Sequence, residues 1–450
     1  MSVAAVGPIV AQRTPQEIAA RRLVVVLALI FAAWAIAPEL RRVLDWRVGF
    51  TKISLVSALP LVALALPLVP LLYGGGLQRV ARPLLALAWI WVGAFAYALA
   101  IAIPAGDALP GTYAFARFCL PMTFALWVAS HDEIPQLALW ERIARILLWL
   151  AAAASAYGVY QFVALPPWDL QWMLAVHLPS IGPAIPYQFR IFGPLNSPGP
   201  FADFLLFALL FNLPRLRRPG PLIVAQVAVV IGALALSLVR SDWIALAVAA
   251  LCYVWLSPYR LRNVAVISTV AIAGALLIFN ASALLGSTAA GSALSTRFDT
   301  FNDLGADDSY NVRMRYFGDA LQSAAENPLG EGLGVIGIAG RLGSNESIFV
   351  FDNGYIARFT EMGYFGTACY LLALVAGLVL AYVRWRAFTR AGLRDEAMLA
   401  AAAVALQVAL IVLDASDDHH TGYAGIFFWL SLALIYGAAP LPCRSPARRA

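Results

Sequence analysis

The feature that most constrains this chain is a succession of a dozen apolar runs separated by short polar breaks. A bilayer core about 30 Å thick needs about 20 apolar residues per helix, so runs of this length specify membrane-spanning helices. The composition agrees. Hydrophobic residues make up 62% of the 450, charged residues 12%, and mean hydropathy is +0.78, far from the usage of water-soluble domains. The expected fold is all-α: one integral membrane domain over residues 1–450, a polytopic bundle of about 12 transmembrane helices.

The expected spans are 23–37, 53–73, 83–103, 112–129, 143–165, 197–213, 221–238, 242–257, 263–281, 355–383, 396–413 and 421–438. The second contains Pro60, Pro67 and Pro70 and is expected to kink. The first follows a mildly polar stretch without a small-residue cleavage site, which reads as a retained signal anchor.

Charge sets the orientation. Lys52 is the only lysine among 31 basic residues, and the arginines fall mostly in alternate short loops: Arg79 and Arg82, Arg142, Arg215 with Arg217 and Arg218, Arg260 and Arg262, then Arg384, Arg386, Arg390 and Arg394. Positive loops face the cytoplasm, so both termini are expected on the cytoplasmic side. The opposite loops near 104–111 and 414–420 carry no arginine or lysine. One loop conflicts, because Arg41, Arg42, Arg47 and Lys52 fall outside; a re-entrant or interfacial first pair of segments would remove the conflict. Charges scattered between apolar runs do not form the exposed basic face that nucleic acid requires. The four cysteines show no disulfide or zinc spacing, and no internal repeat supports an inverted-repeat transporter.

The one large hydrophilic segment, residues 282–354, is inserted between the ninth and tenth spans and is expected on the non-cytoplasmic side. A small-residue stretch, Gly286 to Ser295, leads in. Asp308 or Ser309 can cap an amphipathic helix over Tyr310 to Glu326, with Arg313 and Arg315 near its start and Asn327-Pro328 at its end. The run Gly330-Glu331-Gly332-Leu333-Gly334-Val335-Ile336-Gly337 superficially resembles a dinucleotide fingerprint. No strand precedes it and no βαβ unit surrounds it, so it reads as a glycine turn allowing close backbone approach.

The topology places Arg117, Arg190, Arg240, Arg313, Arg315 and Arg358 at outer helix ends or in outer loops. A charge within an apolar span is costly unless paired or used. Arg358 has Glu361 three residues on, and Arg240 has Asp242 nearby, so ion pairing stands beside function for both. Arginine holds phosphate oxygens bidentately and keeps its charge, which suits a diphosphate leaving group.

Four pieces in order carry a family resemblance: Arg190-Ile191-Phe192-Gly193-Pro194-Leu195-Asn196-Ser197-Pro198; Ser237-Leu238-Val239-Arg240-Ser241-Asp242-Trp243; the helix around Arg313 with Pro328-Leu329-Gly330-Glu331-Gly332; and Asp352-Asn353-Gly354-Tyr355 with Glu361-Met362-Gly363. Over residues 185–370 the chain resembles the O-antigen ligase and polymerase family of bacterial surface polysaccharide assembly, and the first 150 residues add only hydrophobicity. The resemblance implies a glycosyltransferase that uses an undecaprenyl-diphosphate-linked glycan as donor and a glycan hydroxyl as acceptor, without metal or cofactor. It implies that Asp352, Arg240 and Arg313 are catalytic and that Arg190, Arg315, Arg117, Arg358 and Asn353 bind substrate. Flippases and chain-length or export proteins are the implied protein partners.

Ligases typically show His-Asn where this chain has Asp352-Asn353, and no histidine lies nearby in sequence. Polymerisation of an exopolysaccharide or O-antigen repeat is therefore the first reading and transfer to lipid A core the second. A transporter or flippase of lipid-linked sugars is the alternative of another class, and a non-enzymatic assembly scaffold a third. Asp352 is read either as the acceptor's base or as the cap of the helix beginning near Gly354. The segment Asp414 to His420 is open to three readings: metal site, glycan contact or solvated loop. Trp168, Trp172 and Tyr187 are read as interface anchors or as platforms for sugar rings.

Overall fold

The computed structural model describes residues 15–50, 54–131, 134–176, 180–259, 317–318, 322, 325–340, 342 and 353–437. Among these residues the secondary structure is helical, with no strand. The helices are α1 (Pro15–Val48), α2 (Leu59–Ala65), α3 (Leu68–Tyr73), α4 (Arg82–Ala102), α5 (Ala108–Ala129), α6 (Gln136–Ala164), α7 (Pro167–Val176), α8 (Pro198–Asn212), α9 (Pro221–Ser237), α10 (Arg240–Leu256), α11 (Gly354–Arg390), α12 (Arg394–Leu413) and α13 (Gly422–Tyr436). Eight helical segments among the described residues are long and apolar enough to cross a membrane, and α9 and α13 are shorter apolar helices. The expected ninth span, 263–281, and most of the 282–354 loop lie outside the described residues, as do Arg313, Arg315 and Asp352. Of the expected loop helix, Phe317, Gly318, Gln322, Ala325 and Glu326 are described, and all five are helical.

The elements follow from local sequence. In α4, Pro83 occupies the first turn, where a missing N–H costs nothing; Leu84, Leu87, Trp91, Phe95 and Ala98 recur at helical spacing and are buried. The expected kink in the second span appears as a short 3₁₀ turn followed by α2 and α3, divided at Pro67. The core centres on α12, which packs against α8, α10, α11 and α13. Its buried run of small residues, Ala400 to Ala403 with Ala405 and Ala409, lets neighbouring helices approach closely where apolarity alone gives no drive for association.

Helix α11 is bent where Gly363 adopts φ +59°. The 328–334 turn lies in the bend: the Tyr364 N–H donates to the Pro328 carbonyl at 3.1 Å, Glu331 N–H to Thr360 O at 2.9 Å and Gly332 N–H to Glu361 O at 3.1 Å. A Cβ on Gly330, itself at φ +96°, would stand 2.5 Å from the Glu361 carbonyl. The glycine run is thus the close-approach turn that the sequence suggests.

Pairing removes two of the four charges, Arg41 and Arg42, from the conflict in the expected first outer loop. Helix α1 continues to Val48, and Arg42 is buried. Its Nε lies 2.7 Å from the Asp169 carboxylate, and its two terminal nitrogens donate to Glu39, to the Gly193 carbonyl at 2.7 Å and to the Leu195 carbonyl. Arg41 pairs with Asp45 at 3.3 Å. Arginines neutralised in this way do not count as bare positive charge in a topology argument. The first 50 residues therefore contribute more than hydrophobicity, since Arg42 clamps the backbone of the 190–198 segment. Gln161 adds to the clamp, accepting the Phe192 and Gly193 N–H groups at 3.2 and 3.0 Å and donating to Asp169 at 2.8 Å.

Candidate functional site

Held in this way, the 190–198 segment brings Arg190 to the junction of α9 and α10. The Arg190 guanidinium donates to the carbonyls of Ser237 at 2.9 Å, Leu238 at 3.0 Å and Ser180 at 3.2 Å. Leu238 sits at φ +55°, a left-handed conformation that is costly for a leucine; it turns the chain so that α10 restarts at Arg240. Arg190 and Arg240 thus belong to one corner of the bundle.

A second corner lies where α5, α11 and the 414–421 loop meet. Arg117 donates to the Thr421 hydroxyl at 3.0 Å. Arg358 pairs with Glu361 at 2.5 Å and with Asp418 at 2.9 Å, and its guanidinium covers the ring of Phe118 at 4.5 Å, the residue after Arg117. The i,i+3 pairing of Arg358 with Glu361 is the one the sequence suggests, and Glu361 also accepts the Gly334 N–H at 2.8 Å. That bond ties the glycine turn to the charged pair.

The 414–421 loop connects the two corners. His419 Nε2 lies 3.1 Å from the Asp203 carboxylate, and Asp203 is hydrogen-bonded to Asp242 in the first turn of α10. His420 Nδ1 lies 3.0 Å from Asp414, and the Tyr370 hydroxyl also donates to Asp414. A continuous polar layer results, running from Arg117 through Thr421, His419, Asp203 and Asp242 to the head of α10. Asp203, Asp242, Arg358, Glu361, Asp414, His419 and His420 are all buried in it.

Burial alone would lower the His419 imidazole; the carboxylates of Asp203, Asp417 and Asp414 outweigh it and hold the group well above its ordinary value. Partial enclosure of its carboxyl, on a residue otherwise exposed, pushes Asp417 up to about 6, against the opposing pull of His419. Among the described residues no cluster of three or more His, Cys, Asp or Glu is arranged to hold a metal ion. The 414–420 segment is buried at Asp414, His419 and His420, while Ala415 and Asp417 between them are exposed.

Asn353 sits beside this segment. Its side-chain oxygen accepts the Ile356 N–H at 3.1 Å and its amide donates to the Ala415 carbonyl at 3.2 Å, while the Gly354 N–H donates to the Asp414 carbonyl at 2.8 Å. The residue that caps α11 is therefore Asn353, one position after the cap considered from sequence, and the 353–354 backbone is pinned to the loop that carries both histidines. In sequence no histidine lies near Asp352-Asn353; in space Asn353 and Gly354 are hydrogen-bonded to Ala415 and Asp414 of the loop that carries His419 and His420. Asp203, Tyr370, His419 and His420 as one assembly escape sequence reasoning, since Tyr370 and His420 are 50 residues apart and Asp203 and His419 are 216 apart, in runs that read only as apolar or polar.

Four of the expected site arginines, Arg117, Arg190, Arg240 and Arg358, thus adjoin one polar layer with Asn353. No curated protein is similar enough to the chain to count as a match. Residues 225–371, which hold most of α9, all of α10, the glycine turn and the first half of α11, match the family described as O-antigen ligase.

Proposed function

We propose that the protein is a glycosyltransferase of the bacterial inner membrane that polymerises surface-polysaccharide repeats at the periplasmic face, with both termini in the cytoplasm. An acceptor glycan hydroxyl attacks the anomeric carbon of a glycan carried on undecaprenyl diphosphate. The new glycosidic C–O bond forms as the bond from the anomeric carbon to the phosphate oxygen breaks, and the lipid diphosphate leaves with the electron pair. The acceptor's proton passes to the Asp352 carboxylate. Arg240, Arg313, Arg190 and Arg315 stabilise the charge on the leaving diphosphate, while Arg117, Arg358 and Asn353 shape the adjoining end of the cleft. Fixed arginines suit this work because their charge is already in place as the leaving group develops its own.

The observation that carries the proposal is the polar layer linking Arg117 and Arg358 to the Arg190 and Arg240 corner, within a chain whose 225–371 segment matches the O-antigen ligase family. The family's description favours a second reading, in which the acceptor is lipid A core and the reaction is ligation. The chemistry is the same and the acceptor differs. Arg240→Ala and Arg313→Ala, each expressed stably in the native host, are expected to abolish the surface polymer or shorten it to single repeats. Polymer of normal length and yield from both variants would remove the proposal.

A further inference from the structure

Beyond the polar layer, the outer end of α1 meets α7 in a cluster of aromatic rings that the proposed chemistry does not use. Trp46 lies edge-on to Trp168 at 5.9 Å and Phe50 lies against Trp172 at 6.1 Å. Trp46 and Phe50 are each about two-fifths exposed and Trp168 half-buried, whereas Trp172 is 7% exposed. The rim is polar: Asp45, Gln171 and Arg42 line the crevice between the rings, and Arg41 lies over Trp172 at 5.2 Å. The crevice has room for ≈ 10 Å³, about one water or hydroxyl group. Trp172 is among the residues that line it, and its buried indole N–H has no acceptor among the described residues.

The cluster has a definite place relative to the site. Phe31 stacks on Phe427 and Trp34 lies tilted against Tyr423, so α1 runs antiparallel to α13 and continues past the 414–421 loop. At 1.5 Å per residue, Trp46 lies about 18 Å along α1 beyond Trp34. That distance corresponds to several sugar units from the charged layer.

We propose that Trp46, Phe50, Trp168 and Trp172 form a glycan subsite that holds pyranose rings several units from the reacting end of the chain; the assignment rests on the glycan-transfer reading for its substrate class. The axial C–H bonds of a pyranose present a weakly positive face to the negative face of an aromatic ring, and the hydroxyl-sized crevice supplies Trp172 N–H as donor and Asp45 and Gln171 as partners. Burying this donor without an acceptor is unfavourable, and a sugar hydroxyl in the crevice relieves it.

The test uses the full-length protein in detergent micelles and, as probe, the oligosaccharide released by mild acid from the host's own surface polysaccharide. Binding is read by saturation-transfer NMR. The Trp46→Ala/Trp168→Ala variant is expected to bind about tenfold or more weakly, Trp46→Phe to keep most of the affinity, and Trp255→Ala, an exposed tryptophan at the opposite end of α10, to bind as the parent does. Equal affinity in the double variant, or no saturation transfer to the parent protein, overturns the proposal. So does a double variant whose folded yield falls while its folded fraction binds unchanged, which would make these rings headgroup anchors. Binding is read without turnover, so the outcomes separate: Arg240→Ala is expected to leave it intact, and a protein that binds glycan here yet makes no polymer would sink only the transferase reading.

Discussion

Arg42→Ala probes the link between the first helix and the arginine corner. The side chain is fully enclosed and is bound to two carboxylates and two carbonyls. Its removal strands Asp169, whose side chain has no exposure, and breaking a buried pair from one side costs about 3–5 kcal/mol. Two carbonyls also lose their charged donor, at about 1 kcal/mol each where water cannot enter, so a loss of about 4 kcal/mol or more is expected. Unfolding followed by circular dichroism in an SDS titration measures it. Replacing both partners, as in Arg42→Met/Asp169→Asn, removes the stranded charge and is expected to recover at least half of the loss. Because Arg42 holds the Gly193 and Leu195 carbonyls, the single variant is also expected to lose surface polymer through displacement of Arg190. A single variant within about 1 kcal/mol of the parent, or a double variant worse than the single, would refute the reasoning.

Two further outcomes follow from the same contacts. Gly330→Ala places a Cβ against the Glu361 carbonyl at a positive φ and is expected to cost about 3 kcal/mol or more, whereas Gly75→Ala, also at positive φ but in open space, is expected to cost about 1 kcal/mol; the same SDS titration compares them. His419 has its folded value raised above 6.5, so its contribution is complete below about pH 6.5 and is lost as pH rises through the higher folded value. Thermal unfolding across pH 6 to 10 is expected to show that alkaline decline in the parent and a flatter profile in His419→Gln. Asp417, raised to about 6, contributes in the same sense over a lower window, from its ordinary carboxylate value up to about 6.

Much of the bundle is legible in the sequence because hydrocarbon imposes a length rule that each segment obeys separately. The apolar runs over 83–103, 112–129 and 396–413 are the helices α4, α5 and α12 within a few residues. Local rules also yield the Arg358–Glu361 pair and the glycine turn, since their partners are close in sequence or their need is for backbone space. What the sequence hides is pairing across the bundle. Arg42 reads as a topology violation until Asp169, 127 residues away, is seen beside it, and no periodicity announces that contact. His419 and His420 likewise read as a polar knot, because their partners Asp203 and Tyr370 lie on other helices. The Asn353 cap was one residue out of reach: Asp and Asn cap equally well, and only backbone geometry chooses between neighbours.

The most direct test of the central claim is reconstitution of the purified protein into sealed vesicles with an undecaprenyl-diphosphate-linked repeat unit. The account predicts that glycan length increases, that free undecaprenyl diphosphate appears in step with each bond formed, and that both signals vanish in Arg240→Ala. Glycan that crosses the vesicle membrane at unchanged length, with no release of lipid diphosphate, would contradict the account and make the protein a transporter.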